Sequence, residues 1–577
     1  MKKGTSMPDL SLREKILSND YLDLIVPIQS LENEFADRYS MYAAQLLGAG
    51  YGAVHIPNTY TSENIFDTIG YSNIPRLFTT LDSIDLENSG ILRVQIQSFP
   101  GNKGEGVLLG FLDTGIDYTH PAFLTSDGRS RIFRIWDQTI QTGEAPANMN
   151  YGSEYTTEDI NAALASDTPF SVVPSIDEIG HGTFLAGVAA GSSLPREDFT
   201  GAAPECDIAM VKLKPAKQNL RDLFLVNTSV PVFQETDIML AIRYLIQTAS
   251  AAGKPVVICL GLGTNQGDHT KYSPLGDVLS YNSRLTGVYF TSAAGNEAGK
   301  AHHYYGNLEN ASDQDQVQVQ VAAGETGFCM ELWAFPPDLY SIGITSPLGE
   351  NITALPPLRG QTTRINFILE KTVIEVTYKT VELSSGSQLI FLRIADPTPG
   401  IWTFQILPRQ FFNGSFHMWL PITGFINEET FFLNPNPDTT LTCPANADGI
   451  ITVSTYNSRN DSLYINSSRG YTRAGAIKPD LAAPGVDVFG SLSASSESGR
   501  LLFARRTGSS IASAITAGAV ALLVNWGLST TPSRYYTNRE VKSLLIRGAD
   551  RSSTLLYPNR EWGYGTLNLF EVFRSLM

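Results

Sequence analysis

The sequence predicts an α/β protein whose parallel sheet is split by an inserted all-β module. Residues 105–305 alternate short apolar runs with helical stretches: GVLLGFLD, HGTFLAGVAAG, CDIAMVKL, TDIMLAIRYLIQTASAAG, KPVVICLGLG and GVYFTSAAGN. Strands that are apolar throughout and separated by helices belong to a parallel sheet covered on both faces. From 311 to 448 the texture changes to DQVQVQVAAGE, TRINFILE, TVIEVTYKT, SQLIFLRIA, GIWTFQILP and SFHMWLPI, broken by Gly, Pro and Asn turns. Strand-like runs without an amphipathic helix between them read as a β-sandwich or jelly roll. The α/β texture returns over 449–577 with GIITVSTYN, an apolar helix after Ser510 and a helix around REVKSLLIRGA.

The first 97 residues mix helical and strand patterns, as in RYSMYAAQLLGAGYGAVHI, and end in SGILRVQIQS before Pro100 and Gly101. Val94 and Ile96 alternate there with Gln95 and Gln97, the pattern of a strand with one buried face. The expected division is therefore 1–97, 98–310, 311–448 and 449–577, with the second and fourth segments forming one discontinuous α/β domain.

The composition narrows the function. A chain of 577 residues with 42% hydrophobic and 17% charged residues has an ordinary globular composition. A net charge of −16 argues against nucleic acid as a partner, because phosphate binding needs basic patches. Cys206, Cys259, Cys329 and Cys443 are widely spaced and lack metal-binding spacing, which fits a reducing compartment. MKKGTSMPDLSLREKIL has no apolar h-region, and no apolar run reaches the roughly 20 residues that span a bilayer. The expectation is an intracellular protein without signal peptide or membrane partner.

Four segments carry chemistry. In TGSSIASAITAG, Ser510 opens a helix, where a serine is ordinarily a cap. A serine nucleophile needs a base, a carboxylate to orient that base, and donors for the developing oxyanion. Asp113 closes the strand of VLLGFLDTGID, at the carboxyl end where open α/β sheets place their sites. His181 begins a helix in GHGTFLAG. Asn296, at the end of GVYFTSAAGNEAG, supplies an amide that can serve an oxyanion together with the Ser510 backbone N–H. Each residue alone has a structural explanation; their occurrence together at strand and helix ends points to nucleophilic catalysis.

DTGID, GHGTFLAG, AAGNE and GSSIASAITAG resemble, in that order, the four signatures of the subtilisin-like serine proteases. The resemblance implies that Asp113 orients the base, His181 is the general base, Ser510 is the nucleophile and Asn296 is the oxyanion donor. Ser509 takes the place of the family's threonine in G-T-S. Gly261, Leu262 and Gly263, together with Ala293, Ala294 and Gly295, would bind the substrate. The chain departs from the family at Phe184 and Leu185, at Ala514-Ile515, and at Cys259-Leu260-Gly261, where the family reads N-M-S.

DTGIDYTHPAF, AAGNEAGKAHHYYG and the β-rich insert look finer still like the Csp germination proteases of spore-forming clostridia. That resemblance implies a self-processed N-terminal prodomain that stays bound, a jelly-roll insert, packaging in the spore, and a cortex-lytic enzyme precursor as substrate. The tail LRVQIQS would lie in the cleft, with cleavage among Gln95, Ile96, Gln97 and Ser98, most favourably after Gln97. A regulatory pseudoprotease and a general intracellular subtilase are the alternatives. Catalysis would require no cofactor. Subtilases often bind structural calcium, but no ligand set maps here; Asp177, Asp198 and Asp268 read as solvated loop acids, and His302-His303 is a weak metal signal.

Overall fold

The computed structural model describes residues 10–28, 35, 38–39, 42–58, 65–81, 102–356, 362–494 and 502–576. Its centre is a nine-stranded sheet. In chain order the strands are β1 (Leu108–Asp113), β2 (Ile132–Asp137), β3 (Ser153–Thr156), β4 (Asp207–Lys212), β5 (Val256–Leu260), β6 (Val288–Ala293), β7 (Ile451–Asn457), β8 (Ser462–Leu463) and β9 (Leu481–Pro484). They lie in the order β8-β7-β6-β5-β1-β4-β2-β3, with β9 on β7. Pairing is parallel except where β3 and β8 fold back on their neighbours.

Alternation sorts the strand residues between two faces. Leu109, Phe111, Val257 and Cys259 pack with helices α1 (His181–Ala190) and α3 (Ser509–Ser529). Leu108, Leu112, Ile258 and Leu260 pack with helix α2 (Glu235–Ala251) on the other face. Both faces being covered, the strands must be apolar throughout, which is the signal read from the sequence. One expectation is corrected here. α3 is long and apolar enough, by length and composition, to cross a membrane, but it is the buried central helix of the fold. Its apolarity comes from packing on every side.

The N-terminal segment forms an antiparallel sheet in the order Tyr21–Pro27, Tyr51–Pro57, Ala43–Gly48, preceded by helix Leu12–Leu17 with a Ser11/Glu14 capping box. Ile16, Ile25, Leu47 and Ala53 share a core with Ile238, Ile242 and Leu245 of α2. Asp23 is buried at this junction between Lys217 (2.5 Å) and His55 (2.6 Å), and accepts a further bond from Gln234 (2.7 Å). Burial opposes ionisation of Asp23, but the charges of Lys217 and His55 outweigh it and hold its carboxyl well below the usual range.

The insert consists of a six-stranded and a five-stranded antiparallel sheet around an apolar core that includes Ile342, Leu392, Trp402, Phe404 and Phe416. Its first strand is His303–Asn307, earlier than the expected start at 311. Only tertiary pairing makes this short polar segment a strand: it lies antiparallel to Ser415–Trp419. The insert meets the α/β domain where His269 stacks on Trp419 at 3.9 Å, and His303 of the insert stacks on the same indole at 4.8 Å.

His303 is buried there, bonded to the Asn436 carbonyl (3.0 Å) and to His417 Nδ1 (2.9 Å). Burial pushes its pKa from 6.5 down to about 3. The unfolded chain therefore binds a proton near pH 6.5 that the folded protein refuses until about pH 3. Stability is full above the upper value and falls as pH drops between the two. Thermal melts from about pH 8 to about pH 4.5 are expected to show a falling Tm, with a shallower fall in His303→Gln. A wild-type Tm that does not fall on acidification would count against this account.

Candidate active site

Asp113 ends β1 at the carboxyl edge of the sheet and is 1% exposed. Its Oδ1 accepts the bond from His181 Nδ1 (2.7 Å) and another from the Thr114 N–H (2.7 Å). His181 is the first residue of α1, delivered by Gly180, whose φ of 80° suits glycine. On the far side of the ring, Nε2 lies 3.2 Å from Ser510 Oγ. With Nδ1 protonated toward Asp113, Nε2 presents its lone pair to the serine hydroxyl. The chain of contacts places carboxylate, imidazole and hydroxyl in the order that proton abstraction requires.

Ser510 is the second residue of α3, so its N–H is among those a helix leaves unpaired. It donates to the carbonyl oxygen of Leu81 (2.9 Å). Asn296 lies beside the same helix start, and its side-chain oxygen accepts the Ser509 N–H (3.1 Å). The Ser509 hydroxyl in turn accepts the Gly295 N–H (3.2 Å). Ser509, which the sequence marked only as the residue before the nucleophile, therefore ties the Asn296 loop to α3.

The cleft contains a strand that the sequence did not single out. Leu77–Thr80 pairs antiparallel with Leu262-Gly263 on one side and with Phe233-Gln234 on the other. The Leu81 N–H continues the ladder to the Gly261 carbonyl (3.0 Å). Gly261, Leu262 and Gly263 thus run along one side of this strand. Leu81 packs in an apolar cluster with Ala293. Thr442 lies between Gly263 and Gly295: a Cβ on either would fall 2.6 Å from its side chain, and one on Gly263 would fall 3.0 Å from Leu81. Its N–H bonds the Ala294 carbonyl (3.0 Å). Phe78, three residues back, is fully buried in the cluster containing Phe233, Ile238 and Leu262.

The expected occupant, LRVQIQS with Gln95, Ile96, Gln97 and Ser98, lies outside the described residues; the segment beside Gly261–Gly263 in the structure is Leu77–Leu81. The signal in the sequence was the run LFTTL between Pro75 and Asp82, rich in residues that favour strands.

The solvated-acid expectation is also corrected for two residues. Asp177 is fully buried, and Asp268 is buried beside Arg473 (3.4 Å) and Thr270; Asp198 is exposed. His302 pairs with buried Glu297 (2.7 Å), which also accepts from Asn265 (3.1 Å). Burial would raise the Glu297 pKa, but the His302 interaction and these bonds outweigh it and hold it low. Among the described residues, no three His, Cys, Asp or Glu side chains are grouped to hold a metal. All four cysteines are buried and unpaired, and burial pushes the Cys259 thiol up to about 12.

The subtilase family model matches residues 104–329 and 425–565, the two halves of the discontinuous domain. The chain is 31% identical to the CspB protease of Clostridium perfringens, with a TM-score of 0.73 over 85% of this chain and 96% of that one. It is 35% identical over 133 residues to the serine protease AprX of Bacillus subtilis, covering 20% of this chain and 29% of the relative. It is 27% identical over 202 residues to the subtilisin-like protease SBT3.5 of Arabidopsis thaliana, covering 28% and 26%. The chain thus spans under a third of the length of these two curated relatives. With the family model covering both halves of the α/β domain and the site geometry lying within them, the chain belongs to the subtilase family.

Proposed function

We propose that this protein is a serine endopeptidase that cuts its own chain after Leu81 and keeps the N-terminal segment in its cleft as a prodomain. One observation carries the reading: the Leu81 carbonyl sits on the Ser510 N–H while Ser510 Oγ faces His181 Nε2. Ser510 Oγ attacks the carbonyl carbon as His181 takes its proton. Asp113 keeps the ring oriented and favours the imidazolium. The Ser510 N–H and the Asn296 amide hold the oxyanion, and His181 then protonates the departing amine. Water releases the acyl group by the reverse proton path.

Processing after Leu81 makes Asp82 the new N-terminus. Ser510→Ala should leave one uncut chain, and N-terminal sequencing of the wild type should begin at Asp82. Cleavage among Gln95, Ile96, Gln97 and Ser98 instead would sink the assignment of Leu81. Asn296→Ala should lower the rate of self-cleavage by about 10²–10³-fold without unfolding the protein, the cost typical of one lost oxyanion donor.

The buried Phe78 and Leu81 predict the substrate: an extended segment with an aromatic residue, two small residues and an aliphatic residue before the bond. The likeness to CspB and the motif resemblance to the Csp group support the narrower proposal of limited cleavage of a spore cortex-lytic enzyme precursor during germination, by a protease packaged in the spore, with the insert as a jelly-roll module. Incubation with such a precursor should yield two products cut at a bond of that pattern; an intact precursor would refute this role. The filled cleft favours a second reading, in which the protein acts on germination partners by binding. A wild type lacking Ser510-dependent labelling by a fluorophosphonate would select it.

A further inference from the structure

Asp177 lies outside the three residues of the proton path, but its carboxylate contacts the segments that carry two of them. It is fully buried. Oδ1 accepts the Gly180 N–H (2.8 Å) and the Thr114 hydroxyl (2.8 Å). Oδ2 accepts the Thr183 N–H (2.9 Å) and the Thr183 hydroxyl (2.7 Å). All four donors flank catalytic positions: Thr114 follows Asp113, while Gly180 and Thr183 bracket His181.

The arrangement answers a structural need. The cap of α1 is Gly180, which has no side chain to satisfy the N–H groups of the first turn. Asp177 supplies that acceptor from three residues upstream, and its negative charge suits a helix N-terminus. The two hydroxyls then pass the restraint on. Thr114 Oγ1 donates to Asp177 while accepting the Gly182 N–H (3.0 Å), and the Thr114 N–H holds Asp113 Oδ1. Thr183 Oγ1 donates to Asp177 while accepting the Asp117 N–H (2.9 Å). The helix start and the strand end are drawn close: a Cβ on Gly182 would lie 2.2 Å from the Gly115 carbonyl.

We propose that Asp177 is the positioning residue of the Asp113–His181 pair: one buried carboxylate fixes the first turn of α1 and the turn after β1 together, and so sets the imidazole between Asp113 and Ser510. This rests on the proposed roles of Asp113, His181 and Ser510. The segment around Asp177 is itself held: the Lys212 ammonium bonds the Ile176 carbonyl (2.7 Å) and Glu178 (2.8 Å).

The test is the rate of fluorophosphonate labelling of Ser510 in the full chain, for wild type, Asp177→Ala, Asp177→Asn and Thr114→Val. Asp177→Ala should slow labelling by about 100-fold, the scale of an ångström-level misplacement of a catalytic group. Asp177→Asn keeps one acceptor oxygen and should recover part of the rate. Thr114→Val keeps the Asp177 bonds to Gly180 and Thr183 while removing the link to the turn after β1, and should lose rate while still folding, which keeps the idea testable should Asp177→Ala fail to fold. Folded variants with the wild-type rate would overturn the inference, as would an Asp177→Asn variant no faster than Asp177→Ala. A wild type without labelling at Ser510 would instead refute the roles on which it rests.

Discussion

The hydrogen bond between His181 Nε2 and Ser510 Oγ spans 3.2 Å and joins residues 329 positions apart. Everything between them must return α3 to the carboxyl edge of a sheet that α1 has already met. The parallel sheet does this by placing β1, β5, β6 and β7 side by side, so that strand ends from both halves of the domain lie along one edge. The insert costs the site little because the chain leaves near the end of β6 and re-enters at β7, which are neighbours in the sheet. A long excursion between adjacent strands adds loop-closure entropy only slowly with length.

The same edge explains the hold of the N-terminal segment. Its tail completes a small sheet across the cleft, between Phe233-Gln234 and Leu262-Gly263, where a substrate strand would lie. Its body adds an apolar face to α2 and a buried ion pair, Asp23 with Lys217. Breaking such a pair by removing one partner leaves an uncompensated buried charge, which is costly. Tyr71 adds a bond to Glu331 of the insert (2.5 Å), whose other oxygen accepts from Gly267 and Trp333. The segment is therefore joined to both the α/β domain and the insert, and its attachment does not depend on an uncut peptide bond at the cleft.

Polar residues were the least legible part of the chain. Asp177 and Asp268 looked like loop acids because nothing local distinguishes a solvated carboxylate from one buried among hydroxyls and backbone N–H groups. His303 looked like part of a loop because its neighbours in the stack, His417 and Trp419, come from a strand over a hundred residues away. Buried polar groups are specified by their partners, and in this chain those partners are mostly distant in sequence.

The sequence by itself determined the α/β class, the interruption by a β-rich insert, and the positions of Asp113, His181, Asn296 and Ser510. These are written in local periodicity and in short motifs at strand and helix ends. Only the tertiary structure decided which segment lies in the cleft, what Ser509 and Asp177 hold, and how the N-terminal segment is anchored. LFTTL is rich in residues that favour strands, but composition alone cannot say where it finds a partner. That choice falls to the backbone donors and acceptors of Gly261, Gly263 and Ser510, which exist as a site only after residues hundreds of positions apart have been brought together.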